Sequence, residues 1–76
     1  MLHNAKHFAA VLNRCLDELD IPANPRERSI IFSKMLTIPK QQAWSLLEGS
    51  LYPDDNLLHR IANELEMDPS IFKKSA

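Results

Sequence analysis

Lys40, Gln41 and Gln42 stand directly after Pro39, and Ser45 follows within one helical turn. Apolar residues return at Ala43, Leu46 and Leu47, so residues 39–48 read as a short amphipathic helix with a polar opening. Pro39 suits a first helical position, where its missing N–H would have had no partner in any case. Side chains on such an opening turn point outward and forward. They can enter the major groove of a DNA duplex, where glutamine bonds adenine at two points and lysine reaches guanine acceptors or a phosphate. Lys40 and Gln41 are the first candidates for base-edge contact, with Gln42 and Ser45 next. The plain alternative is a solvated helix face.

A second element must hold this helix. Ile31, Phe32, Met35 and Leu36 fall at helical spacing, the pattern breaks at Thr37, and apolar positions resume at Ile38. Residues 29–53 therefore form two short helices joined by a tight turn. Arg28 and Ser29 lie at the expected start of the first of these, where backbone N–H groups and the helix dipole favour a phosphate. Arg26 and Lys34 add cations. Gly49 and Ser50 open the loop after the second helix and offer backbone amides to the same strand; Gly49 reads equally as a helix C-cap.

The rest of the chain supplies the scaffold. Phe8, Val11, Leu12, Cys15, Leu16 and Leu19 recur at three and four residues, which predicts a first helix from residue 4 or 5 to residue 19. Two prolines and Asn24 in segment 21–25 cannot continue it. Pro53-Asp54-Asp55 reads as a capped helix start, followed by Leu57, Leu58, Ile61, Ala62 and Leu65 on one face. Asp68-Pro69 restarts a last short turn ending near Phe72. The expectation is an all-α chain: residues 1–76 form one compact five-helix domain, with the paired elements as helices two and three, over about residues 28–49.

This arrangement resembles the helix-turn-helix DNA-binding domain of the phage repressor and Cro family, over roughly residues 8–72. The resemblance rests on Ser29 and Phe32 three positions on, a small residue at the helix crossing (Ser33), the turn pair Thr37-Ile38, core positions Ala43 and Leu46, and the closing Gly49, Tyr52 and Pro53. It implies a compact repressor-like fold and a sequence-specific transcriptional regulator. In such a regulator the helix at about 39–48 lies in the major groove, on a pseudo-palindromic site bound by two copies. Two positions depart from the pattern. The turn residue is usually glycine because the chain tends to positive φ there, which a β-branched Thr37 adopts only with strain or a different turn. Trp44 falls on the outer face of the recognition helix.

At 76 residues the chain is one domain near the size where a second copy often adds stability, and 45% apolar content argues against disorder. No run approaches the eighteen apolar residues of a membrane span, and the N-terminal stretch lacks a secretory signal's apolar core, so a cytoplasmic location without membrane partners is expected. The single cysteine, Cys15, reads as a buried small hydrophobe. Net charge is −1, which by itself disfavours a nucleic-acid partner. Its distribution does not: residues 21–47 carry four cations against Glu27 alone, so the positive side coincides with the paired helices.

Other clusters carry less. His3 and His7 stand four apart but lack a third ligand, so no metal is expected. Asp17, Glu18 and Asp20, like Glu64, Glu66 and Asp68, are paired carboxylates that nothing places in a pocket. No phosphate-binding glycine loop exists, because Gly49 is the only glycine. Neither an enzyme, a cofactor nor a small-molecule ligand is expected. Double-stranded DNA is the expected partner, with homodimerisation through the C-terminal segment, residues 67–72, at Ile71 and Phe72; the alternative is that these two residues cap the core of their own chain. The competing function is a protein-interaction module on the same fold that has lost DNA binding, anchored by the exposed apolar residues Trp44 and Leu51.

Overall fold

Asn4 starts the first helix by local chemistry: its side-chain oxygen accepts from the N–H groups of Lys6 and His7. The structure, a computed structural model, describes residues 4–73. Helix α1 runs Ala5–Glu18 and buries Phe8, Val11, Leu12, Cys15 and Leu16 along the stripe expected from their spacing; Leu19, expected to continue that stripe, lies past the last helical residue and is exposed. Burial pushes the Cys15 thiol above its ordinary range, with Glu18 adding to the shift and Arg14 opposing it, so it packs as a neutral side chain.

The second helix begins earlier than its apolar pattern suggests. Helix α2 spans Pro25–Leu36, because Asn24 caps the N–H groups of Arg26 and Glu27 and Pro25 takes the first helical position. Segment 21–25 is therefore a shorter linker than expected, and Ser29 lies in the second turn of the helix rather than at its opening. Helix α3 runs Lys40–Glu48, with Pro39 extended as its N-cap instead of forming its first residue. Helix α4 covers Asp55–Glu64 under an Asp54 cap (Leu57 N–H to Oδ1, 2.8 Å), and α5 is the single turn Ser70–Lys73. The fold is all-α, and every regular element among the described residues is a helix.

Four helix ends close in the same way. The N–H groups of Ile21, Ile38, Ser50 and Met67 each donate to a carbonyl five residues back, at 2.8–3.1 Å. Each follows a residue in the left-handed region: Asp20 (φ 62°), Thr37 (58°), Gly49 (89°) and Glu66 (57°). This is the standard way to satisfy carbonyls left over at a helix C-terminus. Arg60 of α4 adds a guanidinium bond to the carbonyl of Leu36, at the end of α2. At Gly49 two constraints coincide, since a β-carbon there would lie 3.3 Å from Lys6 Cα and 3.6 Å from Ala9 Cβ.

One core joins all five helices. α1 packs against α3 and α5, and α2 packs against α3 and α4. Phe8 is its centre: its ring meets Phe72 at 5.0 Å and the edge of Tyr52 at 5.7 Å between centroids. Phe72 is thus 2% exposed, which corrects its assignment to an interface in favour of the alternative that it caps the core of its own chain; α5 carries this ring onto Phe8. Ile71 is half-buried against the same core.

Two measurements test this packing. Thr37→Gly should raise stability by about 1 kcal/mol in a thermal melt, because it removes the left-handed penalty on a β-branched residue. Phe72→Ala should cost about 3–5 kcal/mol while leaving the sedimentation coefficient of the folded fraction unchanged, as a core ring would and a dimer contact would not.

Candidate nucleic-acid interface

Ala43 and Leu46 are fully buried and fix which side of α3 faces the core. At about 100° per residue the outward line then runs through Gln41 and Glu48, with Trp44 and Lys40 on one flank and Ser45 and Gln42 on the other. Lys40, Gln41 and Glu48 are exposed, whereas Gln42 and Ser45 are half-buried. The opening turn differs from those of α1, α2 and α4 in that no side chain caps it, and unlike those of α2 and α4 it contains no acidic residue. Its N–H groups and the positive end of the helix dipole point outward beside the Lys40 ammonium.

Arg26 and Lys34 are exposed on α2 and bring two more cations. Arg28 does not join them. It is 4% exposed, and all five of its N–H bonds are spent inside the molecule. Nε donates to Pro22 O at 2.9 Å, one Nη to Asn13 O and Oδ1 at 3.2 and 3.0 Å, and the other to Ile21 O at 2.7 Å and Asp17 Oδ1 at 2.6 Å. A saturated buried guanidinium has nothing left for a phosphate, so the expectation of a backbone contact at Arg28 is corrected. Ser29 is corrected for the same reason: it is buried, and its hydroxyl donates to Arg26 O at 2.9 Å. Ser33 is the small residue at the crossing, buried with its hydroxyl on Ile30 O at 2.8 Å.

The loop after α3 is likewise committed. The amides of Gly49 and Ser50 both donate to Ser45 O, at 3.2 and 3.1 Å, so neither is offered to a nucleic-acid strand, contrary to expectation. Only the exposed Ser50 hydroxyl remains at that end, and it donates to Glu48 Oε2 at 3.0 Å.

Trp44 is 42% exposed, as the helical pattern implies, and Leu51, in the loop after α3, is 38% exposed. Trp44 lines an open cleft of about 290 Å³ together with Leu47 and Glu48 of α3, Asn13 of α1, and Ala23, Pro25 and Arg28 around the start of α2. The His3–His7 pair lies partly outside the described residues, among which no group of three metal-binding side chains exists. No described helix is long and apolar enough to cross a membrane.

Glu48 and Asn13 were not singled out by sequence. Glu48 lies seven residues after Gln41, two full turns along the same outward line, a signal present but unread. Asn13 is a poor helix former placed mid-helix beside the apolar stripe, which is the signature of a side chain bonded elsewhere. No protein-family model, curated protein or solved structure matches this chain, so its own geometry carries the functional argument.

Arg28→Ala should behave as a folding lesion. Removing it strips Pro22, Ile21 and Asn13 of their donors and leaves Asp17 unpaired, so a loss of about 3 kcal/mol is expected in urea unfolding. A variant as stable as the parent, with weaker affinity for anions, would restore Arg28 to the surface role.

Proposed function

We propose that this protein is a sequence-specific DNA-binding regulator of the repressor and Cro type, which inserts the start of α3 into the major groove. The observation that carries the proposal is the opening turn of α3: uncapped, free of acid, and presenting Lys40 and Gln41 outward while Ala43 and Leu46 anchor the opposite face. Gln41 is the reader of an adenine edge, and Lys40 reaches a guanine or the adjacent phosphate. Gln42 and Ser45, half-buried on the flank, complete the base-facing surface. Arg26 and Lys34 meet the backbone and set the register of α3 along the groove.

A helix of nine residues reads few base pairs, so two copies on a pseudo-palindrome, with half-sites about one helical turn apart, supply useful specificity. With Phe72 committed to the core, self-association falls to Leu51 and Ile71, the chain neighbours of the two rings that meet Phe8. The chemistry is binding rather than catalysis, with no cofactor.

A second function, as a protein-interaction module, is favoured by the exposed Trp44 beside its cleft, since tryptophan anchors many interfaces. Salt separates the two. Three exposed cations, Arg26, Lys34 and Lys40, give a slope of roughly −2.7 per domain in log affinity against log salt. A tryptophan-centred protein contact scarcely responds.

Selection from a random duplex pool, followed by titration, tests the proposal. Gln41→Ala should weaken binding to the selected site by about 1–3 kcal/mol and relax preference at one or two base pairs. Lys40→Ala, if its contact is to a phosphate, should weaken all sequences alike and reduce the salt slope by about one unit. A pool that yields no enriched sequence, or salt-insensitive binding, would exclude DNA reading by this face.

A further inference from the structure

Asn13 joins three helices through one side chain. Its Nδ2 donates to Ala9 O one turn back on α1 (2.9 Å) and to Leu47 O in the last turn of α3 (3.0 Å). Its Oδ1 and its backbone carbonyl both accept from the same Nη of Arg28 on α2. The amide is therefore fixed at both ends: its oxygen is held by a buried cation, and its nitrogen is left aimed at α3. Ala43 and Leu46 press α3 onto the core, but apolar packing is non-directional and tolerates small rotations of a nine-residue helix. A hydrogen bond to one carbonyl at its end does not, because such bonds weaken steeply with angle.

From this we infer that Asn13 is a positioning residue for base reading: its bond to Leu47 sets the angle at which α3 presents Gln41, although Asn13 itself, half-buried between α1, α2 and α3, is not among the base-facing residues. The role rests on the DNA-binding function proposed above. Its leverage follows from helix geometry. Leu47 and Gln41 are six residues apart, about 9 Å along the axis, so a tilt of about 10° about the Leu47 end displaces the Gln41 end by roughly 1.5 Å. A bidentate glutamine–adenine pair does not survive such a shift, since a reading group must be held within about 0.5 Å. Contacts from Arg26 and Lys34 lie on α2 and stay in place.

The discriminating substitution is Asn13→Asp. It keeps an acceptor for Arg28 but removes both Nδ2 donations and sets an oxygen against the Leu47 carbonyl. Asn13→Ala, which loses every side-chain contact, is the harsher companion. Both are studied as the full chain, well below their melting temperatures. Residual dipolar couplings of the α3 amides, referred to α1, report the helix angle, and titrations with the parent's selected duplex and with a random duplex report function. The expected result for Asn13→Asp is a reoriented α3, a loss of about tenfold or more on the selected duplex, and affinity for the random duplex within about twofold of the parent. A role confined to stability would lower the melting temperature but leave the ratio of the two affinities unchanged, and that result overturns the inference. So does an unmoved α3. If the parent itself binds both duplexes equally, DNA reading fails before the role of Asn13 is reached, and the two failures are told apart.

Discussion

The buried guanidinium of Arg28 is the interaction on which the rest of the arrangement depends. A cation taken out of water costs several kcal/mol unless it is fully paired, and here pairing is complete. Two of its partners, the carbonyls of Ile21 and Pro22, belong to a proline-containing linker that cannot supply them with helical N–H groups, so arginine and linker satisfy one another. Asp17, its carboxylate partner, keeps 60% of its side chain exposed. Half the ion pair thus stays solvated, which reduces the desolvation cost that makes fully buried pairs unprofitable. The consequence is geometric: the first two turns of α2 are tied to α1, and through Asn13 the tie continues to the last turn of α3.

That tie changes the electrostatics of the proposed DNA face. With Arg28 withdrawn and neutralised by Asp17, the face keeps Arg26, Lys34 and Lys40, a small endowment for phosphate neutralisation. Glu48 limits it further. It shares the outward line of α3 with Gln41 but sits about 10 Å further along, where a carboxylate repels a phosphate. A cation at the start of the helix and an anion at its end favour, for the proposed complex, an approach in which the Lys40 end goes deepest and the Glu48 end stays at the groove mouth. In the proposed complex, weak backbone attraction would shift discrimination onto base contacts and onto the angle of α3, the angle that the Asn13 amide is inferred to set.

Much of the fold was legible in the sequence because its determinants are local. The buried stripe of α1 from Phe8 to Leu16, the Asp54 cap of α4, the core positions Ala43 and Leu46 and the outward Trp44 all follow from periodicity and capping chemistry, whereas Leu19, predicted to extend the stripe, is exposed because the helix ends before it. The start of α2 was not: residues 26–29 are all polar, so apolar spacing gave no sign of a helix until Ile30, although Asn24-Pro25 is itself a strong start signal. Arg28 was misplaced for a different reason. Its partners lie 6 to 15 residues back, three of them are backbone carbonyls, and a carbonyl that needs a donor leaves no trace in residue types. Gly49 and Ser50 show the same blindness, since whether an amide is free for a ligand depends on the turn that closes the helix before it.

The left-handed residues show what the turn between α2 and α3 has in common with the other helix ends. Asp20, Thr37 and Glu66 each adopt a conformation that costs roughly 1 kcal/mol for a residue with a β-carbon. Each is followed by an apolar residue, Ile21, Ile38 or Met67, that packs against the core, so the strained turn delivers a hydrophobic contact in return. Gly49 is the exception in both respects: it relieves a close approach to Lys6, and it is followed by the exposed Ser50. Glycine therefore occurs where the backbone of α1 crowds the turn, and side chains are tolerated elsewhere at some cost in stability. At Thr37 that cost is accepted at the joint that sets the angle between α2 and α3, where a β-branched residue also narrows the conformations open to the joint. Rigidity there serves the same end as the bond from Asn13 at the other end of α3: both hold the Lys40–Gln41 turn at one angle.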